Sequence, residues 1–206
     1  MKSNLEVFFK GIIDVSPLMI PVVPFGTQGF GNNFGPVSDD QAIDLIKYAI
    51  SLGVNHFDSA RCYGDSQLKL GLAMKEISRE DVIITARVCC HSAAKWGGYG
   101  QGEPDYSRER VLVDVEDQLQ ALNVDYVDGL MIHDPPEIDP TLQRGGTLEG
   151  LIECKKRGFT RFIGYGMRPH DFHLKAIATG EVDFLLCFND YNLVRQTASD
   201  QLLPTA

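Results

Sequence analysis

From Ser38 onward, two kinds of segment take turns: amphipathic stretches of helical period and short apolar runs of strand length. No other feature restricts the fold as much, because regular strand–helix alternation is the mark of a parallel sheet. Asp39–Leu52 predicts the first helix. Ser38 and Gln41 are spaced as a capping box, Ala42, Leu45, Ile46 and Ala49 form one apolar face, and Gly53 follows as the stop. Val54–Asp58 reads as a strand. Ser66–Glu76 reads as a helix with Leu68 and Leu72 on one face, and Val82-Ile83-Ile84 as a strand buried on both sides. Ser107 caps a helix carrying Val111, Val115, Leu119 and Leu122, and Tyr126–His133 is the next strand. Leu148, Leu151 and Ile152 mark a helix ended by Gly158, and Phe162-Ile163 a strand core. Phe172, Ala176 and Ile177 mark a helix ended by Gly180, before a last strand in Val182–Phe188. With a first strand near Val22–Gly26, the total is about six.

Two architectures alternate in this way, an open doubly wound sheet and a (β/α)8 barrel. A dinucleotide-binding open sheet calls for G-x-G-x-x-G after its first strand. Gly29-Phe30-Gly31 begins that pattern, but Phe34 stands where the third glycine belongs and Gly35 comes one position late. The barrel is therefore expected, with residues 1–206 as a single domain. A complete barrel takes about 250 residues, so the expectation is an incomplete one of about six strand–helix units. Ser199-Asp200-Gln201-Leu202-Leu203-Pro204 reads as the start of the helix after strand six. On that reading the chain is the N-terminal part of a barrel and binds dinucleotide weakly.

The formal net charge of −9 opposes binding to nucleic acid or anionic lipid. Lys155-Lys156-Arg157 is the nearest basic cluster, and its place at a helix end suits the helix dipole. No apolar run approaches the roughly 20 residues of a membrane span, and Met1–Val15 lacks the pattern of a signal peptide. Cys62, Cys89, Cys90, Cys154 and Cys187 form no C-x-x-C pair and no zinc-ligand spacing. Reduced thiols in the cytoplasm, and no metal, are the expectation. His170 and His173 read as capping or surface residues.

Barrel chemistry gathers at the C-terminal ends of strands. Those ends supply Asp58, Arg87 and His133, and Tyr63 follows Asp58 by one short loop. Each alone has a structural explanation, as a cap, a surface ion pair, a core histidine or a turn residue. Together they bring a carboxylate, a cation, an imidazole and a phenol to one rim. The long segment from Cys89 to Tyr106 would lie over that rim, which makes Trp96 and Tyr99 candidates for lining a substrate pocket.

Phe57-Asp58-Ser59-Ala60-Arg61-Cys62-Tyr63-Gly64-Asp65-Ser66 resembles the F-D-T-A-x-x-Y-G-x-S signature of the aldo-keto reductases. Asp125-Tyr126-Val127-Asp128 running to Ile132-His133-Asp134-Pro135 resembles that family's D-Y-x-D…H-x-P strand, and Gly158–Gly164 its G-x-x-R-x-I-G stretch. Val15-Ser16-Pro17-Leu18 and Phe25-Gly26-Thr27 resemble its N-terminal segment. The run Asp190-Tyr191-Asn192-Leu193 looks closest to the galactose and aldose dehydrogenase branch.

The resemblance implies an oxidoreductase that moves a hydride between NADP or NAD and a small-molecule aldehyde, ketone or sugar. Tyr63 would be the general acid or base, its pKa lowered by an adjacent cation that Asp58 orients, and His133 would align the substrate oxygen. Thr27, Gln28, Asp58 and Gly166 would belong to the nicotinamide pocket. Three positions depart from the family pattern. Arg87 replaces a lysine, Gly166-Met167 a frequent Ser-Asn pair, and Phe188 a frequent glutamine. Arg87 and the short C-terminus keep open a second reading, a catalytically silent relative that binds or regulates.

Overall fold

The computed structural model describes residues 12–15, 18–21, 25–31, 35–89 and 103–206. An antiparallel hairpin, β1 (Ile12–Val15) and β2 (Leu18–Pro21), comes first, with Ile12 opposite Pro21. The strand–helix alternation does not forecast it. The remaining strands are β3 (Phe25–Gly26), β4 (His56–Asp58), β5 (Ile83–Cys89), β6 (Val127–His133), β7 (Thr160–Met167) and β8 (Phe184–Cys187). They form one six-stranded parallel sheet whose spatial order is the chain order. A doubly wound sheet reverses direction midway. This one does not, and it forms the curled, incomplete (β/α)8 arrangement that the alternation implies.

Helices α1 (Asp39–Ser51), α2 (Ser66–Ala73), α3 (Arg108–Leu122), α4 (Asp139–Leu142), α5 (Thr147–Arg157), α6 (His170–Ala178) and α7 (Leu202–Thr205) connect and follow the strands. Among the described residues no helix is long and apolar enough to cross a membrane. The capping box of α1 is present: the Ser38 hydroxyl accepts from the Gln41 amide at 3.2 Å, and the Ser38 amide donates to Gln41 Oε1 at 3.0 Å. Ser38→Ala should cost about 1 kcal/mol, a fall in Tm of about 2–4 °C for a chain of this size. Thermal unfolding followed by circular dichroism checks it, and an unchanged Tm would mean that packing alone holds the helix.

Two helical faces differ from the sequence reading. α1 buries Ala42, Ile46 and Ala49, while Leu45 is left exposed at the rim of that stripe. α2 presents Gln67, Leu70 and Gly71 to the interior and leaves Leu68 exposed. The reason is close packing of α2 on α3. A Cβ on Gly71 would stand 2.0 Å from the Ala121 carbonyl oxygen, so only glycine fits there. Beside it Gln67 donates to Gln118 at 2.7 Å, a buried polar pair that apolar periodicity cannot reveal.

The N-terminal rim of the sheet is held by ion pairs. Asp128 on β6 accepts from Arg79 at 2.7 Å, from the Ile84 amide at 2.9 Å and from Arg161 at 3.1 Å. The second aspartate of the D-Y-V-D motif therefore fastens strands at the end where barrel conservation serves stability rather than catalysis.

Candidate active site

Parallel pairing in chain order sets the register at the opposite rim. Asp58 lies beside Thr85, Arg87 beside Met131, Cys89 beside His133, and His133 beside Gly166. Arg87 sits within β5 rather than at its end, because the strand continues to Cys89. Its guanidinium grips the Asp58 carboxylate with two nitrogens, Nε to Oδ1 at 3.3 Å and Nη2 to Oδ2. Thr85 donates to the same Oδ1 at 2.8 Å, and His56 Nε2 meets the Thr85 hydroxyl at 3.0 Å. Asp58, Thr85 and Arg87 are all buried. Burial opposes the charge on Arg87, but Asp58 and Tyr63 outweigh it and hold the guanidinium pKa above its usual value.

Tyr63 stands on the β4–α2 loop, with the Arg87 guanidinium carbon 5.9 Å from its ring centroid. Its ring meets the His133 ring edge to face, centroids 5.7 Å apart at 88°. Burial pushes the phenol pKa up. The Arg87 charge pulls it down, and Asp58 partly cancels that pull, so the net displacement is upward. The cation beside the phenol is thus where the sequence puts it, but in this buried loop it does not lower the pKa below the ordinary value.

His133 Nε2 lies 3.5 Å from Asp134 Oδ2. Its Nδ1 faces two sulfurs, Cys62 Sγ at 3.3 Å and Cys89 Sγ at 3.6 Å. A thiol hydrogen from either sulfur makes Nδ1 the acceptor and leaves Nε2–H as a donor.

A cavity of about 430 Å3 opens at this rim, lined by Tyr63, Arg87 and His133 together with Gln28, Asp134 and Cys62. Gly166, Met167, Leu186 and Phe188 form the rest of the wall, and Phe188 is mostly exposed. Thr27 is fully buried, and its hydroxyl donates to the Asp58 carbonyl oxygen at 3.0 Å. The candidates Trp96 and Tyr99 lie outside the described residues.

Several contributors escape a reading of the sequence. Arg61 occupies a variable position in the signature, yet it is buried and pairs with Asp114 at 2.6 Å and Asp117 at 3.1 Å on α3. It pins the loop that carries Cys62 and Tyr63. The two acids stand three apart on one helix face, but nothing local marks Arg61 as their partner. His173 is not a surface residue. It is fully buried and its Nε2 meets the Met167 carbonyl oxygen at 2.9 Å, fixing the end of β7.

A family model described as the aldo/keto reductase family matches residues 22–206. L-galactose dehydrogenase of Arabidopsis thaliana is 34% identical over 196 residues, covering 91% of this chain and 58% of the relative. D-threo-aldose 1-dehydrogenase of Pseudomonas sp is 23% identical over 204 residues, covering 91% of this chain and 62% of the relative. The chain thus spans about three-fifths of the length of each of these curated relatives. Among solved structures, a thermostable aldo-keto reductase in complex with the inhibitor epalrestat matches with a TM-score of 0.64 at 29% identity, over 79% of this chain and 55% of that one. An aldo-keto reductase from Bacillus halodurans in its holo form matches with a TM-score of 0.63 at 26% identity, over 77% and 51%.

Proposed function

The chain belongs to the aldo/keto reductase family, and from that premise we propose that it moves a hydride between a nicotinamide dinucleotide, NADP or NAD, and the carbonyl carbon of an aldehyde, ketone or sugar. One observation carries the reading: a buried phenol, an imidazole and a carboxylate-held guanidinium line one cavity at the strands' C-terminal rim. The wall suits a nicotinamide ring, offering the apolar side chains of Met167, Leu186 and Phe188 and the polar groups of Gln28, Arg87 and Asp134. A Cβ on Gly166 would stand 2.6 Å from Met131 Sδ, so glycine suits this part of the wall. A bound nicotinamide supplies the hydride.

The protein's own groups supply the rest. His133 Nε2–H holds the carbonyl oxygen and aims the carbon. The Tyr63 proton passes from the phenol to that oxygen as the new C–H bond forms, so hydride and proton together complete the alcohol. Asp58 fixes Arg87, and through it the field at the phenol. A phenol pushed upward by burial is protonated at neutral pH, which suits donation in carbonyl reduction. A reducing, cytoplasmic setting belongs to the same reading, because Cys62, Cys89, Cys154 and Cys187 are all free thiols.

The sign of the Tyr63 displacement fixes a pH profile. Carbonyl reduction uses the phenol and should stay flat through neutral pH. Alcohol oxidation uses the phenolate and should climb with pH without levelling below about 10, the ordinary tyrosine value. Steady-state kcat/KM in each direction, followed by nicotinamide absorbance, measures both limbs. An oxidation limb that levels by about pH 8, two units below that value, would mean that Arg87 outweighs burial.

Similarity to the L-galactose and aldose dehydrogenases makes aldoses the first compounds to assay, followed by simple aldehydes and ketones. A binding-only relative is favoured by Arg87 and by the apolar positions Met167 and Phe188. Nicotinamide binding without turnover on any member of that panel would select it over the reductase.

A further inference from the structure

We propose that Cys62, Cys89 and His133 form a binding site for one thiophilic divalent cation, Zn2+ or Cd2+, in the inner wall of the cavity. The inference does not depend on the reaction proposed above. The two thiols and the imidazole offer three soft ligand atoms that all lie within 4.8 Å of one another, on residues no more than 4% exposed. Spacing rules miss them because the cysteines lie 71 and 44 residues from His133 in sequence. The fold assembles them: Cys89 and His133 are register partners at the ends of β5 and β6, and the Arg61 ion pairs hold the loop that brings in Cys62.

The geometry matches what a tetrahedral ion requires. With metal–sulfur bonds of about 2.3 Å and metal–nitrogen bonds of about 2.05 Å, a sulfur–nitrogen edge measures about 3.5 Å. The observed edges from Nδ1 are 3.3 Å to Cys62 and 3.6 Å to Cys89. The third edge, sulfur to sulfur, is no longer than 4.8 Å, against about 3.8 Å across a tetrahedral ion with those bond lengths. Cys62 and His133 border the cavity, so a fourth position would face open space, where water can complete the shell.

The charge also balances. Binding replaces two S–H protons, released to solvent, with one divalent cation. The loaded site is then neutral, beside an Asp58–Arg87 pair that is itself neutral. Nδ1 would carry the metal, which fixes Nε2–H as the nitrogen facing the cavity. A second cluster, His170, Cys187 and Asp190, is a poorer candidate for a cation. Asp190 already has Arg195 at 3.0 Å and Arg168 at 3.8 Å on the same oxygen.

The test uses Cd2+ alone on the reduced 206-residue chain with Cys90 and Cys187 both replaced by alanine. Native mass spectrometry and the ultraviolet sulfur-to-cadmium charge-transfer band report binding without reference to turnover. One Cd2+ per chain is expected, with two protons released. Cys62→Ala and Cys89→Ala should each weaken binding at least about a hundredfold, the top of the range seen when only a supporting outer-shell group is lost. Cys154→Ala, a buried thiol outside the cluster, should leave it unchanged. Absence of a one-to-one complex in the parent overturns the proposal whether or not the variants fold. So does a band that survives both cluster variants.

Discussion

Tyr63→Phe should lower turnover at least about a hundredfold, the usual lower size of a general acid–base contribution, while nicotinamide binding stays within about twofold. The substitution removes one oxygen and keeps the ring. The edge-to-face contact with His133 and the stacking beside Arg87 both involve the ring, so they should survive. No hydrogen bond of the hydroxyl to the described residues is lost, so stability should change little. An intact thermal transition with lost turnover separates proton donation from packing. Cofactor fluorescence titration and steady-state rates on both proteins supply the comparison. Turnover near the parent's would move the proton donor elsewhere, with His133 the next group in reach.

Asp58→Asn should produce the largest change in stability and a change in the kinetic pKa as well. The carboxylate is buried, accepts from Thr85 and is gripped by Arg87 through two nitrogens. Removing its charge leaves a buried guanidinium without a counter-ion, a loss of about 3–5 kcal/mol in comparable pairs. Tm should fall by at least about 6 °C at 2–4 °C per kcal/mol. Asp58 also opposes the pull of Arg87 on the Tyr63 phenol, so its removal should move the kinetic pKa of Tyr63 downward. A merely structural aspartate would alter Tm and leave that pKa in place. Adding Arg87→Met removes the stranded charge and should recover much of the lost Tm, because replacing both members of a buried pair is far milder than breaking it. If the double variant is less stable than Asp58→Asn alone, the pair is not the source of the loss.

The sheet was legible in the sequence because short apolar runs alternate with amphipathic helices, two of them capped by Ser38 and Ser107 and three followed by Gly53, Gly158 or Gly180. The Ser38–Gln41 box and the left-handed Gly158 are local events, written in adjacent residues and found where those residues predict. Helix faces were less legible. α2 turns its polar Gln67 inward because Gln118 waits on α3 and because Gly71 permits close approach, and both facts are tertiary. The hairpin of β1 and β2 precedes the strand–helix alternation that begins at Ser38, so that pattern does not announce it.

Asp58, Tyr63, Arg87 and His133 could be named because barrel strands aim their C-terminal ends at one rim, and the structure brings all four to it. What each does electrostatically could not be named in advance. Burial is the main cause of the phenol's upward shift, and burial is a tertiary outcome to which the Arg61–Asp114 pair contributes by holding the loop. The sulfur environment of His133 Nδ1 was invisible for the same reason, since register and loop closure create it.

Hydride transfer itself is the most direct test. The chain would be incubated with nicotinamide dinucleotide deuterated at the transferable position, NADPH and NADH in turn, and a panel of aldoses, aldehydes and ketones, and the alcohol product read by mass spectrometry. The expected result is one deuterium at the former carbonyl carbon, with the yield cut at least about a hundredfold in Tyr63→Phe. No deuterated product from either nucleotide with any panel member, or an equal yield from Tyr63→Phe, would contradict the assignment of this cavity as the site of carbonyl reduction.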